Sequence, residues 1–150
     1  MAHKHLIYLI LSSFILVFYS CNQTKNEDYK ALSVQIGSQN FDLQHSGVNK
    51  IVVITDKGCP SCTNTLARIA LDELADSTTL FYITSKGNNI NILPFMELKK
   101  NVIFDWQTGN KPIPQLSATG IVYLKNNQID TIIKINAEEI GKQIEFIKQK

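Results

Sequence analysis

Two spacings of apolar residues alternate along most of this chain, and together they predict strands separated by helices. Runs rich in β-branched and aromatic residues predict strands, and the first of them is typical of a strand buried on both faces. These runs cover residues 51–55, 80–84, 101–105, 120–124 and 129–135. After Pro60, apolar residues recur every three or four positions through Leu74, which predicts an amphipathic helix. A shorter helix is predicted from about Pro94 to Lys100.

The two ends of the domain complete this prediction. Residues 32–44 have the pattern of two short strands around a turn at Gly37, which predicts an N-terminal β-hairpin. Asn126-Asn127 is typical of a tight turn between the last two strands. Asn136 is a good N-cap for a closing helix, and Glu139 is placed to complete a capping box. We therefore expect an α/β fold with a central mixed β-sheet flanked by helices.

The N-terminal residues have the pattern of an export signal. A short basic head precedes an apolar segment at 6–19, which is shorter than the roughly 18–20 residues that span a bilayer. Ser20-Cys21 then resembles the lipobox of bacterial lipoproteins, in which the cysteine carries lipid. Phe18 and Tyr19 depart from the usual residues of that motif. The alternative is an ordinary secreted protein that keeps a free thiol at Cys21.

This interpretation divides the chain into three parts. Residues 1–20 are predicted to be a lipoprotein signal peptide, residues 21–31 a polar tether and residues 32–150 a single domain. A lipidated Cys21 would place the protein in the bacterial cell envelope, facing the periplasm, on either the inner or the outer membrane. The chain has three cysteines, so lipid on Cys21 leaves one pair in a compartment where disulfides persist.

That pair, Cys59-Pro60-Ser61-Cys62, stands between a predicted strand and a predicted helix. Unpaired N–H groups and the helix dipole at a helix start stabilise an anion, which lowers the pKa of the Cys59 thiol and makes it the nucleophile. Pro60 suits the first turn, where its missing N–H costs nothing. Cys62 lies three residues on and is close enough to form a disulfide with Cys59. Cys62 would resolve the mixed disulfide that Cys59 forms with a substrate.

Three other interpretations of the pair stay open. A structural disulfide is one, although so short a loop constrains the unfolded chain little. Half of a zinc site is another, but zinc takes about four ligands and His45 is the only histidine after the signal. The third is an inactive pair. Elsewhere, we interpret Lys57 as a solvated loop residue, Trp106 as a packing residue at a strand end and His45 as a surface turn residue.

The order of motifs over residues 32–150 resembles the thioredoxin-like fold, and in particular the TlpA/ResA-type membrane-anchored thiol–disulfide oxidoreductases of bacterial envelopes. The motifs are, in order, "GSQNFDLQ", "NKIVVITDKGCPSC", "LFYIT", "NVIFD" and "ATGIVYLKNNQIDTIIKI", with a helix after them. The resemblance implies that Cys59 attacks and Cys62 resolves. It also implies a substrate groove that includes Gly58, Pro60, Ala118 and Thr119.

The chain departs from that family at three positions. Gly58 replaces the usual aromatic residue before the first cysteine, and Val53 replaces the buried acid that many members carry. If Thr119 is aligned with the threonine after the family's cis-proline, Ala118 occupies the proline position. A cis peptide bond without proline costs about 2.5–4 kcal/mol, so we expect a trans bond before Ala118 and an altered groove.

The sequence therefore predicts an envelope thiol–disulfide oxidoreductase that uses a CxxC pair at a helix start. The alternative is a non-catalytic binding module on the same fold, which holds a peptide or a soft metal through the thiolates. The formal net charge is +2 and no basic run is present, so no nucleic-acid partner is expected. We expect no cofactor, and a monomer whose partners are dithiols or disulfides of proteins or small molecules.

Overall fold

The computed structural model describes residues 27–87, 90–106 and 113–149. Its strands are β1 (Lys50–Ile54), β2 (Thr79–Ile83), β3 (Val102–Phe104), β4 (Gly120–Lys125) and β5 (Gln128–Lys134). They form a five-stranded sheet in the order β3-β2-β1-β4-β5. β1, β2 and β3 are parallel, whereas β4 is antiparallel to both β1 and β5. The predicted α/β fold with a mixed sheet flanked by helices is confirmed, and this arrangement is consistent with a thioredoxin-like fold.

Helices cover both faces of the sheet. They are α1 (residues 27–37), α2 (Pro60–Glu73), α3 (Leu93–Met96) and α4 (Ile140–Gln149). α1 packs on one face together with inward residues of β1, β2 and β4, while α2, α3 and α4 pack on the other. β1 and β2 are therefore buried almost throughout, which explains their uninterrupted apolar runs.

The N-terminal β-hairpin predicted over residues 32–44 is wrong. Residues 27–37 are helical, and a turn follows at 38–40. Tyr29, Leu32 and Ile36 are buried with spacings of three and four residues, which places them on one face of the helix. The helix also includes residues 27–31, which we predicted to be polar tether.

A polar contact attaches the end of α1 to the sheet. The amide of Gln35 donates to the Tyr82 hydroxyl at 3.1 Å, and that hydroxyl donates to the buried carboxylate of Asp105. Burial and the bond to Asp105 raise the pKa of Tyr82 above its usual value, so the hydroxyl keeps the proton that it donates. The other end of the Gln35 amide accepts from the backbone N–H of Ile113 at 3.0 Å, which ties α1 to the segment before β4.

The C-terminal elements follow the prediction closely. Asn126 and Asn127 both have positive φ, as expected for the tight turn between β4 and β5. The Asn136 side chain accepts from the N–H of Glu139 at 2.9 Å, as predicted. The reciprocal bond differs, because the N–H of Asn136 donates to Gln143 rather than to Glu139.

In the middle of the chain, α3 is shorter than predicted and ends at Met96.

The carboxyl ends of β1, β2 and β3 and the amino end of β4 meet at one edge of the sheet, where α2 begins. In open α/β sheets this edge is the usual place for a functional site. No helix in the part of the chain that the structure describes is long and apolar enough to cross a membrane. The predicted signal peptide, Cys21 and residues 22–26 lie outside the described residues.

Candidate redox site

The two cysteines after β1 form a disulfide at the start of α2. Their Cα atoms are 5.2 Å apart, within the usual range for such a bond. Cys59 is half-buried, whereas Cys62 is only 4 % exposed. The pair is therefore asymmetric, because a reagent in solvent meets the sulfur of Cys59 before that of Cys62.

Two hydrogen-bond donors of the first turn of α2 contact the sulfur of Cys59. Cys59 is the N-cap residue of α2, and its Sγ accepts from the backbone N–H of Cys62 at 3.3 Å. The Ser61 hydroxyl lies 3.2 Å from the same sulfur. Pro60 occupies the first turn of α2 and is exposed beside the pair. In the reduced protein these donors and the helix start would stabilise a thiolate at Cys59.

Gly58, directly before the disulfide, has a left-handed backbone conformation. Its φ is +97°, and a Cβ built on it would meet no atom within 4 Å apart from those of its two neighbours in the chain. Space is therefore present for a side chain, but an L-residue would be strained at that φ. An aromatic residue at this position, as in the family that the sequence resembles, would require a different backbone conformation here.

Ala118 and Thr119 lie in the bend between a short 3-10 helix (Pro114–Leu116) and β4. The peptide bond before Ala118 is trans, as expected for a residue other than proline. Ala118 is half-buried, and Thr119 is 4 % exposed. The Thr119 hydroxyl lies 3.1 Å from that of Thr63, in the first turn of α2. The structure thus brings Thr119 to the helix that carries the cysteines.

Sequence reasoning missed three residues of this site. Ser61 contacts Cys59, while Thr55 and Thr63 contact Thr119. A signal for the two threonines was present, because Thr55 ends the apolar run of β1 and Thr63 lies on the inward side of α2. A polar residue at a buried position needs a hydrogen-bond partner.

The remaining candidates are exposed surface residues or serve packing. Lys57 is exposed, and His45 is an exposed turn residue that pairs with Asp42 at 2.8 Å. Trp106 packs against Phe104 with ring centroids 5.0 Å apart and ring planes tilted by 53°, consistent with the packing role we assigned to it. Within the described ranges, no group of three or more His, Cys, Asp or Glu side chains is arranged to hold a metal ion.

Three comparisons with known proteins were negative. No protein-family model matches the chain, and neither a curated protein nor a solved structure is significantly similar to it. Function must therefore be argued from the site itself.

Proposed function

We propose that the protein is a thiol–disulfide oxidoreductase of the bacterial cell envelope, similar to the TlpA/ResA type. One observation carries the proposal. A half-exposed cysteine caps α2, its sulfur accepts a backbone N–H, and it is paired with a buried cysteine three residues later. A structural disulfide would gain little from so short a loop. The donors at the more accessible sulfur also favour exchange, because they would stabilise a thiolate there once the disulfide is reduced.

The exchange needs two steps. In the reduced protein the Cys59 thiolate attacks one sulfur of a substrate disulfide, whose S–S bond breaks as the other sulfur leaves and takes a proton. Cys62 then gives up its proton and attacks the Cys59 sulfur, and the second substrate sulfur leaves as a thiol. The substrate gains two electrons and two protons, while the protein keeps the Cys59–Cys62 disulfide. The same steps in reverse oxidise a dithiol.

Reduction of insulin by the full-length protein, with dithiothreitol as the electron source, tests this function. We expect the protein to accelerate the reaction above dithiothreitol alone, and Cys59→Ser to remove the acceleration. Thr65→Val is the control, since it changes the same helix but keeps both sulfurs and the donors that contact the Cys59 sulfur. Folded wild-type protein without any acceleration would contradict the proposal and favour the non-catalytic binding module.

The cellular location is part of the proposal and rests on the sequence. A signal that ends at Ser20-Cys21, followed by polar residues, supports a lipid anchor that holds the domain on the periplasmic side of a membrane. Mass spectrometry of the N-terminus of protein from its native cell tests it. We expect a chain that begins at a lipidated Cys21, and an unmodified peptide across Ser20-Cys21 would contradict the anchor.

A further inference from the structure

Three buried threonines meet beside the redox pair, and each comes from a different segment. Thr55 follows β1, Thr63 belongs to the first turn of α2, and Thr119 ends the bend before β4. Their exposed fractions are 4 %, 2 % and 4 %, respectively. Buried hydroxyls are costly unless they are hydrogen-bonded. Those of Thr63 and Thr119 contact each other, whereas Thr55 takes part through its backbone and its hydroxyl accepts from the N–H of Lys57.

The contacts of this threonine cluster join all three segments. The backbone N–H of Thr55 donates to the Thr119 hydroxyl at 3.3 Å, and that hydroxyl lies 3.3 Å from the carbonyl oxygen of Thr55. The Thr63 hydroxyl lies 3.1 Å from that of Thr119 and 3.2 Å from the carbonyl oxygen of Cys59. A continuous path of contacts therefore runs from the end of β1, through the bend before β4, to the backbone of Cys59.

The number of protons makes the cluster cooperative. Each hydroxyl carries one proton, yet Thr63 has two acceptors within reach, Thr119 and Cys59. If the Thr63 hydroxyl donates to the carbonyl oxygen of Cys59, the Thr119 hydroxyl can donate to that of Thr63. If the Thr63 hydroxyl instead donates to the Thr119 hydroxyl, Thr119 donates to the carbonyl oxygen of Thr55. The orientation of one hydroxyl therefore limits the orientation of the other, and a change at one threonine affects the other.

We propose that Thr63 and Thr119 are positioning residues, which hold the bend at Ser117–Thr119 and the backbone of Cys59 in fixed relation. The inference rests on the proposed exchange function and adds a physical reason why the Cys59 thiolate is stabilised. The peptide bond before Ala118 is trans, and no proline restricts the backbone conformation there. The cluster therefore anchors that bend. The same cluster fixes the carbonyl of Cys59, and with it the first turn whose Cys62 N–H points at the Cys59 sulfur.

The key variant is Thr63→Val, which removes one hydroxyl and keeps a β-branched side chain. Thr119 retains its contacts with Thr55, and the Cys59 carbonyl retains the backbone N–H of Thr63 at 3.0 Å, so the fold should persist. Thr65→Val is a matched control. The Thr65 hydroxyl makes the same kind of bond within α2, to the Ser61 carbonyl at 2.8 Å, but contacts no part of the cluster. Thr63→Ser should restore the behaviour of the wild type.

The measurement is the pH profile of iodoacetamide alkylation of Cys59, in full-length protein that carries Cys62→Ser, followed by mass spectrometry of the peptide. In Thr63→Val the first turn is less constrained and the thiolate less stabilised. We expect the profile to move to higher pH, with a roughly three- to tenfold lower rate near neutral pH, the size expected from one buried hydrogen bond. Thr65→Val and Thr63→Ser should keep the profile of the parent.

Thr119→Val should shift the profile in the same direction. Combined with Thr63→Val it should add little, because both changes remove one shared contact. Equal profiles for Thr63→Val and the parent, or an equal shift in Thr65→Val, would overturn the positioning role. Alkylation needs no substrate disulfide, so it decides this point even if the wild type fails to reduce insulin, a result that would overturn only the exchange function.

Discussion

Gly120 shows how a single residue fixes the approach of two strands next to the site. It pairs with Val53 on β1 and with Lys134 on β5, and it directly follows Thr119. A Cβ at this position would meet the carbonyl of Ile133 in the backbone of β5. Because backbone atoms cannot move aside as a flexible side chain can, the position tolerates only hydrogen.

We therefore expect Gly120→Ala to lower the free energy of unfolding by about 1–3 kcal/mol, the usual cost of overpacking. Gly141→Ala is the control, since Gly141 lies in α4, where an added Cβ would point into open space. That change should leave stability equal or raise it by up to about 1 kcal/mol, because alanine favours helix. Urea unfolding of both variants checks the prediction, and a stable Gly120→Ala would show that β4 and β5 can separate there without cost.

At the same scale, the sequence allowed the cysteines to be placed but not the threonine cluster. Cys59 and Cys62 are neighbours in the chain, so strand, loop and helix start suffice to bring them together. Thr119 lies 64 residues from Thr55 and 56 from Thr63, and only the sheet order brings them into contact. Contacts of that range depend on which strands are neighbours, which local patterns do not reveal.

At the scale of elements, α1 is the helix that we predicted as part of a β-hairpin. Leu32, Val34 and Ile36 alternate with polar residues, which is the period of a strand. The same residues fit a helix once Tyr29 is included, because positions 29, 32 and 36 then share a face. Tyr29 lies in the segment predicted to be tether, so residues 32–44 alone do not show the helical period.

The two periods predict opposite roles for Val34. In a strand it would share the buried face with Leu32, whereas in α1 it is 68 % exposed and Leu32 is fully buried. We expect Leu32→Ala to cost about 2–5 kcal/mol of unfolding free energy. Val34→Ala should change it by less than about 0.5 kcal/mol. Equal, large losses in the two variants, measured by urea unfolding, would contradict the helix.

A second prediction at this scale concerns the turn between α2 and β2. The Asp76 carboxylate accepts from the N–H and hydroxyl of Thr78 and the hydroxyl of Thr79, and it pairs with Lys50 at 3.0 Å. Burial alone would raise the pKa of Asp76, but the bonds from Thr78 and Lys50 outweigh it and hold that pKa well below its usual value. The carboxylate therefore ties the start of β1 to the start of β2.

Because the pKa of Asp76 is lower in the folded than in the unfolded protein, its contribution is complete above the unfolded pKa, about 3.9. It is lost as the pH falls from there towards the folded pKa. Asp76→Asn should therefore be less stable than the wild type at pH 7, by a margin that shrinks below about pH 4. Asp72→Asn, at an exposed carboxylate of α2, is the control. A margin for Asp76→Asn that stays constant from pH 7 to about pH 2.5 would contradict this account.

At the scale of the whole molecule, the sheet supports the cysteine pair. β1 lies in the middle of the sheet, with β2 on one side and β4 on the other, and the CxxC motif follows it after the loop at residues 55–58. The Asp56 carboxylate links the loop after β1 to the loop after β2, through the Ser85 hydroxyl at 2.6 Å and the Lys86 N–H at 2.9 Å. The alternation of strands and helices sufficed to predict this layout. The helix that covers the second face was not predicted, because residues 32–36 also fit the period of a strand.

The most direct test of the exchange role is to trap its covalent intermediate. Full-length Cys62→Ser, reduced and mixed with a disulfide-bonded peptide, can form the mixed disulfide at Cys59 but cannot resolve it. With Cys21→Ser in both proteins, we predict one peptide per chain, attached to Cys59 and released by dithiothreitol, and little stable adduct on Cys59→Ser, whose remaining thiol at Cys62 is buried. An adduct that forms on Cys62 in preference to Cys59, or on neither, would contradict the account.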